Sequence, residues 1–300
     1  MEKTLICVVG PTAIGKTSLA IQLAQHFNTE IVSADSRQFF KEMSIGTAKP
    51  TKDELAQAKH HFIGHKSIHE AYTAGTFEKE AINLLDELFK SHNVVICVGG
   101  SGLYIKALTD GIDDIPSSLS IRNELNQQLE KDGIEKLQNQ LKELDPVQYK
   151  NMDIHNPQRI VRALEVCIHT GKPYSSFLQN EKAARSFKTL TVGLTADREI
   201  IYDRINKRVD IMMQDGLLNE AKSLYPHRHL NALNTVGYKE LFSYFDGNTS
   251  LEKAIELIKQ HTRQFAKRQL TWFKKNQDVK WFNIQHPDTI IGSITSILKN

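Results

Sequence analysis

The stretch VVGPTAIGKTSLA, Val8 to Ala20, carries the pattern G-x-x-x-x-G-K-T from Gly10 to Thr17. Ahead of it, Thr4–Val9 (TLICVV) is apolar and β-rich, as a strand buried on both faces would be. Behind it, Leu19, Leu23 and Phe27 recur at four-residue spacing and give a helix one core-facing side. Gly10 and Gly15 let the backbone turn several N–H groups inward around an anion, and the helix beginning near Lys16 adds its positive end. Lys16 supplies an ammonium for the distal phosphate and Thr17 a hydroxyl for Mg²⁺. A chance glycine-rich turn would need neither the strand before nor the amphipathic helix after. The stretch therefore reads as a P-loop. The pattern leaves open which phosphate is held and what is done to it.

Working outward, a second strand is expected over Thr29–Ala34 (TEIVSA), running into DSRQFF, and a third over Asn93–Gly100 (NVVICVGG) after the helical FEKEAINLLDELFKS. Strands alternating with helices imply an α/β fold, a P-loop NTPase-like parallel sheet flanked by helices. Ligands of such sheets sit beyond the carboxyl ends of the strands, where Gly10–Thr17, Asp35–Gln38 and Gly99–Tyr104 all fall. From about Asp113 only helical periodicity remains. One helix there has clear ends, with Asn156 as cap, Pro157 first and Gly171 after the last turn. Phe187–Thr195 (FKTLTVGLT) returns as a strand, and a long helix from Asp197 stops at Gly216. The expected domains are 1–112 as the first part of the core, 113–185 as an all-helical insertion, and 186–300 as the second part with a basic C-terminal helix.

With 300 residues and a net charge of +3, composition alone does not argue for a nucleic acid; only the distribution of charge could. Cys7, Cys97 and Cys167 are far apart in sequence, which fits buried, reduced thiols. No apolar run reaches the length of a membrane span, and the chain enters its first strand without room for a leader. A cytoplasmic protein with no membrane contact is expected.

Asp35 is the carboxylate nearest the P-loop, since the third strand ends in GGSGLY with no acid. It is a metal-shell ligand, a general base for an acceptor nucleophile, or a turn aspartate. Arg204 and Arg208 share a helix face and either clamp phosphate oxygens or form a solvated face with Glu199 and Asp203. Arg159 and Arg162 pose the same choice, with a polyanion as the sharper option. Lys259–Gln277 (KQHTRQFAKRQLTWFKKNQ) has no acidic residue. On a helix, Lys259, Arg263, Lys267 and Lys274 form a basic stripe opposite an apolar seam of Ile258, Phe265 and Trp272. His60, His61, His65 and His69 fit no standard zinc spacing and read as pocket wall or substrate contact instead.

Taken together, GPTAIGKT, DSRQFF, SIGTAKP, HHFIGH, YTAGTF, VGGSGLY, NPQRIVRALE, LNTVGYKE and TRQFAKRQLTWF occur in an order that resembles the tRNA dimethylallyltransferases (tRNA isopentenyltransferases) of the bacterial type. The likeness spans nearly the whole chain. It departs at Ser101, where the family usually has Thr, and at Phe39–Phe40, where it often has Val/Ile-Tyr. The resemblance implies transfer of a dimethylallyl group from dimethylallyl diphosphate to N6 of the adenosine at tRNA position 37, beside the anticodon. The diphosphate would lie on Gly10, Pro11, Thr12, Ala13, Ile14, Gly15, Lys16 and Thr17, with Mg²⁺ on Thr17. Asp35, Ser101 and Arg208 would be catalytic. The tRNA anticodon stem-loop would meet Asp35, Ser36, Arg37, Gln38, Ser101, Arg122, Asn123, Gln158, Arg159, Ile160, Val161, Arg162, Arg263 and Lys267. A monomer is expected. The rivals are an ATP-using kinase, an enzyme prenylating free AMP or ADP, and a non-enzymatic RNA-binding P-loop protein.

Overall fold

The computed structural model describes residues 2–179, 182–286 and 288–299. The chain begins with β1 (Thr4–Val9), α1 (Lys16–Phe27), β2 (Ile31–Ser33), α2 (Lys52–Gln57), β3 (His60–His61), α3 (Ala74–Leu88), β4 (Val94–Val98) and α4 (Gly102–Asp110). Four helices follow, α5 (Leu119–Asp132), α6 (Ile134–Leu144), α7 (Pro146–Asn151) and α8 (Pro157–Thr170). It closes with β5 (Lys188–Thr195), α9 (Arg198–Gln214), α10 (Leu217–Leu224), α11 (Tyr238–Phe245), α12 (Leu251–Phe273), β6 (Lys280–Asn283) and α13 (Asp288–Lys299). Two compact units result, one of residues 1–110 with 184–300 and one of residues 111–183.

In the first unit all paired strands run parallel, in the order β3-β2-β4-β1-β5-β6. β1 lies between β4 and β5, and its six residues are all buried, as an uninterrupted apolar run requires when helices cover both faces. Its side chains alternate between two cores. Ile6 and Val8 join α1 and α9 through Leu23, Ile201 and Ile205; Leu5, Cys7 and Val9 join α3 and α4 through Phe77, Leu85 and Leu108. Two strands have no counterpart in the sequence reading: β3, two histidines at one edge, and β6 at the other.

The second unit has its own core of Leu125, Leu137, Leu141, Ile160, Val161 and Leu164. α8 has the ends its sequence announces, the Asn156 side chain accepting from the Arg159 N–H and Gly171 left-handed at the C-terminus. Glu165 is fully buried on this helix, accepts from Arg122 Nε (2.9 Å) and the Ser118 N–H (2.7 Å), and forms an ion pair with Arg162 (3.1 Å). A buried carboxylate needs such partners, and here they tie the segment before α5 to α8.

Candidate active site

Gly15 adopts a left-handed conformation (φ 104°), which lets the chain leave β1, turn and enter α1 within six residues. The loop is gripped from outside. Arg204 on α9 is exposed and donates from Nε to the Ala13 carbonyl (2.8 Å), so it braces the cradle from its outer side. Lys16 donates to the Pro11 carbonyl (2.8 Å). Burial lowers its pKa to about 8, with the Asp35 charge raising it and Arg208 lowering it further. Arg208 is half-buried, which pushes its pKa down, and its charge is felt by Lys16.

Asp35 follows β2, and its Oδ1 accepts from the Arg37 N–H (3.0 Å). The turn role is therefore real, yet it takes up one oxygen of the carboxylate. Lys16, Thr17, Asp35, Gln38, His60 and Gly99 line one narrow cavity. Ser101, at the start of α4, accepts from the Ser36 N–H (3.1 Å) and donates to the Ser36 hydroxyl (3.1 Å). The three loops expected at the sheet's carboxyl edge thus meet, the second and third by direct hydrogen bonds. His60 donates from Nδ1 to the Ala58 carbonyl if neutral, the form favoured by burial, which lowers its pKa. Among the described residues, no histidine, cysteine or carboxylate group could hold a metal as a cluster of three.

Several sequence expectations need correction. Ile160 and Val161 are 0 % and 4 % exposed in the core of the second unit, so their side chains cannot face a partner. Arg122 and Arg162 are taken up by Glu165, and Arg162 also by the carbonyls of Ile115 and Pro116. Asn123, Gln158 and Arg159 are exposed on the same unit. Arg37 donates to the carbonyls of Asn231 (3.0 Å) and Ala232 (2.9 Å), and Gln38 to those of Thr47 (3.1 Å) and Ala48 (2.9 Å), so both fasten loops. The Thr12 N–H points to Gln269 and away from the cradle. On α12 the buried face is Ala254, Ile258, Ala266, Gln269 and Phe273, while Phe265 and Trp272 are 38 % and 42 % exposed. The basic stripe is partly tied down, since Lys259 pairs with Asp210 (2.8 Å) and Arg263 with Asn206 (2.7 Å); Lys267 and Lys274 are exposed.

Sequence reasoning also missed Glu220 on α10. One oxygen accepts from the N–H groups of Ser44 (2.9 Å) and Ile45 (2.8 Å), the other from Gly46 (2.9 Å) and the Tyr238 hydroxyl (2.7 Å). It anchors the SIGTAKP loop whose carbonyls receive Gln38. Replacing Glu220 with alanine strands these donors and should destabilise the protein by about 3 kcal/mol, the upper range for bonds to a charged group. Urea unfolding would show this as a lower midpoint at unchanged slope.

Comparison with known proteins agrees with this geometry. A family model described as IPP transferase matches residues 38–276. The chain is 64% identical over 283 residues to the tRNA dimethylallyltransferase of Christiangramia forsetii, covering 94% of each chain. It is 59% identical to that of Flavobacterium johnsoniae over 288 residues, 94% of this chain and 93% of the other. Among solved structures, the full-length tRNA isopentenylpyrophosphate transferase of Bacillus halodurans superposes with a TM-score of 0.72 at 36% identity, over 99% of this chain and 96% of that one. A eukaryotic dimethylallyltransferase acting on tRNA gives 0.81 at 30% identity, over 98% and 78%. With the P-loop, the Asp35 turn and the Ser101 loop joined around one cavity, and with relatives matched over nearly their full length, the chain belongs to the IPP transferase family, the tRNA dimethylallyltransferases.

Proposed function

We infer that the protein transfers the dimethylallyl group of dimethylallyl diphosphate to N6 of the adenosine at tRNA position 37. The observation that carries this reading is the cavity itself, where Lys16 and Thr17 of the P-loop converge with Asp35 and with Gly99 of the loop that carries Ser101. The Gly10–Thr17 loop, apart from the Thr12 N–H, holds the diphosphate, with Lys16 and Arg208 supplying positive charge. The allylic C–O bond breaks with its electron pair leaving on the diphosphate, N6 forms the new bond to carbon, and the N6 proton passes to Asp35. Ser101 orients the amine. The acceptor base must leave its stack to reach this cavity.

The oxygen donors of Thr17 and Asp35 line that cavity together, a hard donor set suited to Mg²⁺. Thr17 would hold the ion, which when bound neutralises charge on the leaving diphosphate. For the tRNA we propose the unit of residues 111–183, through Asn123, Gln158 and Arg159, and the exposed basic end of α12. We propose that it acts as a monomer. The cytoplasm is the compartment this reading implies, and among the described residues no helix is long and apolar enough to cross a membrane.

The deciding experiment incubates the protein with labelled dimethylallyl diphosphate, Mg²⁺ and unmodified tRNA, then digests and identifies the nucleoside. A parallel arm offers ATP as sole donor. Turnover of ATP at enzymatic rates, without prenylated nucleoside, would favour a kinase or ATPase. Neutralising the exposed Lys267 and Lys274 together should weaken tRNA binding. It should also flatten the slope of log affinity against log salt, by about 0.7–0.9 for each phosphate no longer neutralised. An unchanged slope would leave α12 a solvated surface.

A further inference from the structure

α12 bridges the P-loop and the Ser101 loop through an uncharged side chain. Gln269 is 6 % exposed and uses both ends of its amide. Its Oε1 accepts from the Thr12 N–H in the P-loop (2.8 Å), and its Nε2 donates to the Gly100 carbonyl (2.9 Å), one residue before Ser101. Main-chain bonding between the ends of β1 and β4 extends to the Gly99 N–H on the Val8 carbonyl (3.2 Å). Beyond it the two loops are bridged by this amide. The fit is close, since a Cβ at position 100 would lie 2.2 Å from Nε2. The helix holds Gln269 firmly, because Ala266, one turn before, packs into the core on one face of the sheet, and Phe273, one turn after, into the core on the other.

We propose that Gln269 is a positioning residue that sets the separation between the phosphate cradle and the Ser101 loop, and so between the donor's leaving group and the acceptor amine. The inference rests on the roles given above to those two loops. Asparagine is too short to span both partners, and leucine or methionine would fill the space while leaving a buried N–H and a buried carbonyl unpaired. A displacement of about 1 Å between reacting groups suffices to cost on the order of 10²-fold in rate.

The test uses the full chain with Gln269→Met, a near-isostere lacking both bonds. The expected result is a kcat about ten- to a hundredfold lower per folded molecule, with KM for tRNA nearly unchanged, and faster hydrogen exchange at the Thr12 amide. If Gln269 acts through the Ser101 loop, the same substitution made in a Ser101→Ala background costs much less, because the group it positions is already gone. Gln269→Glu provides a second variant that keeps the acceptor for Thr12 and loses the donor to Gly100; slow Thr12 exchange with reduced kcat is expected. A Gln269→Met protein with wild-type kcat per folded molecule, even if it melts earlier, would overturn the proposal, as would fully additive losses with Ser101→Ala. Were the wild-type protein inert with dimethylallyl diphosphate and tRNA, the prenyl-transfer reading would fall. Thr12 exchange needs no turnover and would still decide the strut, unchanged exchange in Gln269→Met refuting it.

Discussion

Asp35→Ala is expected to lower kcat by about 10²–10⁴, the range for removal of a general base, while tRNA affinity is kept. The size follows from what the carboxylate has to do. An exocyclic amine is a weak nucleophile because its lone pair is delocalised into the ring, and it becomes cationic as it attacks carbon unless its proton is removed. Asp35 has one oxygen on the Arg37 N–H, which fixes its orientation, and its carboxylate shares the cavity with Lys16 and Thr17. Asp35→Asn keeps the turn bond through its amide oxygen and cannot accept the proton, so it should be nearly as impaired as alanine. Single-turnover rates with saturating donor and tRNA separate this from binding. An asparagine variant close to wild type would return Asp35 to a turn residue.

Lys16→Ala is expected to weaken diphosphate binding by about 10–100-fold, the worth of a buried charge-assisted bond, and to slow turnover, with tRNA affinity barely moved. A pH dependence accompanies it. Burial holds the Lys16 pKa near about 8 in the protein without donor. Below that value the ammonium is present and the anion meets a full charge. Above it the lysine is neutral, a proton must be taken up on binding, and donor affinity falls roughly tenfold per pH unit. Calorimetry with inorganic diphosphate between about pH 7 and about pH 9 reads this slope on top of the ionisation of the diphosphate itself, and it should be shallower in Lys16→Ala. A slope as steep in the variant as in the wild type would place the titrating group elsewhere.

Legibility in the sequence differed sharply between parts of this molecule. β1, the P-loop and α1 were readable because strand, turn and helix each carry an independent signal and all three agree. α8 was readable from its caps. β3 was not, for His60 and His61 have no strand-like pattern and pair only because Ile31 and Val32 lie beside them. The face of α12 was misread because large apolar residues suggested a seam through Phe265 and Trp272. The helix packs so closely that alanines and a glutamine occupy its buried side, and Trp272 lies over the backbone at Gly102 while remaining partly exposed. Gln269 and Glu220 share a further difficulty. Their partners are main-chain N–H and carbonyl groups remote in sequence, which residue types do not encode. The same holds for Arg122 and Arg162, where a positive charge suggested an external anion and Glu165 supplies an internal one.

Cys7 and Cys97 stand opposite one another on β1 and β4, both wholly enclosed. Contact with Cys7 and burial push the Cys97 thiol well above its ordinary range, so it is chemically quiet as long as the sheet is closed. An alkylating reagent reaches this pair only through an opening that parts the central strands, and each such event leaves a permanent mark. The two thiols therefore act as a clock for sheet breathing, wound into the strands that lead to the cradle and to the Ser101 loop. Anything that occupies the cradle and favours the closed sheet slows that clock by mass action. Occupancy of the cradle is thus expected to slow alkylation of Cys7 and Cys97, which peptide masses separate from Cys167, and it is read with no tRNA, no turnover and no added label on the ligand.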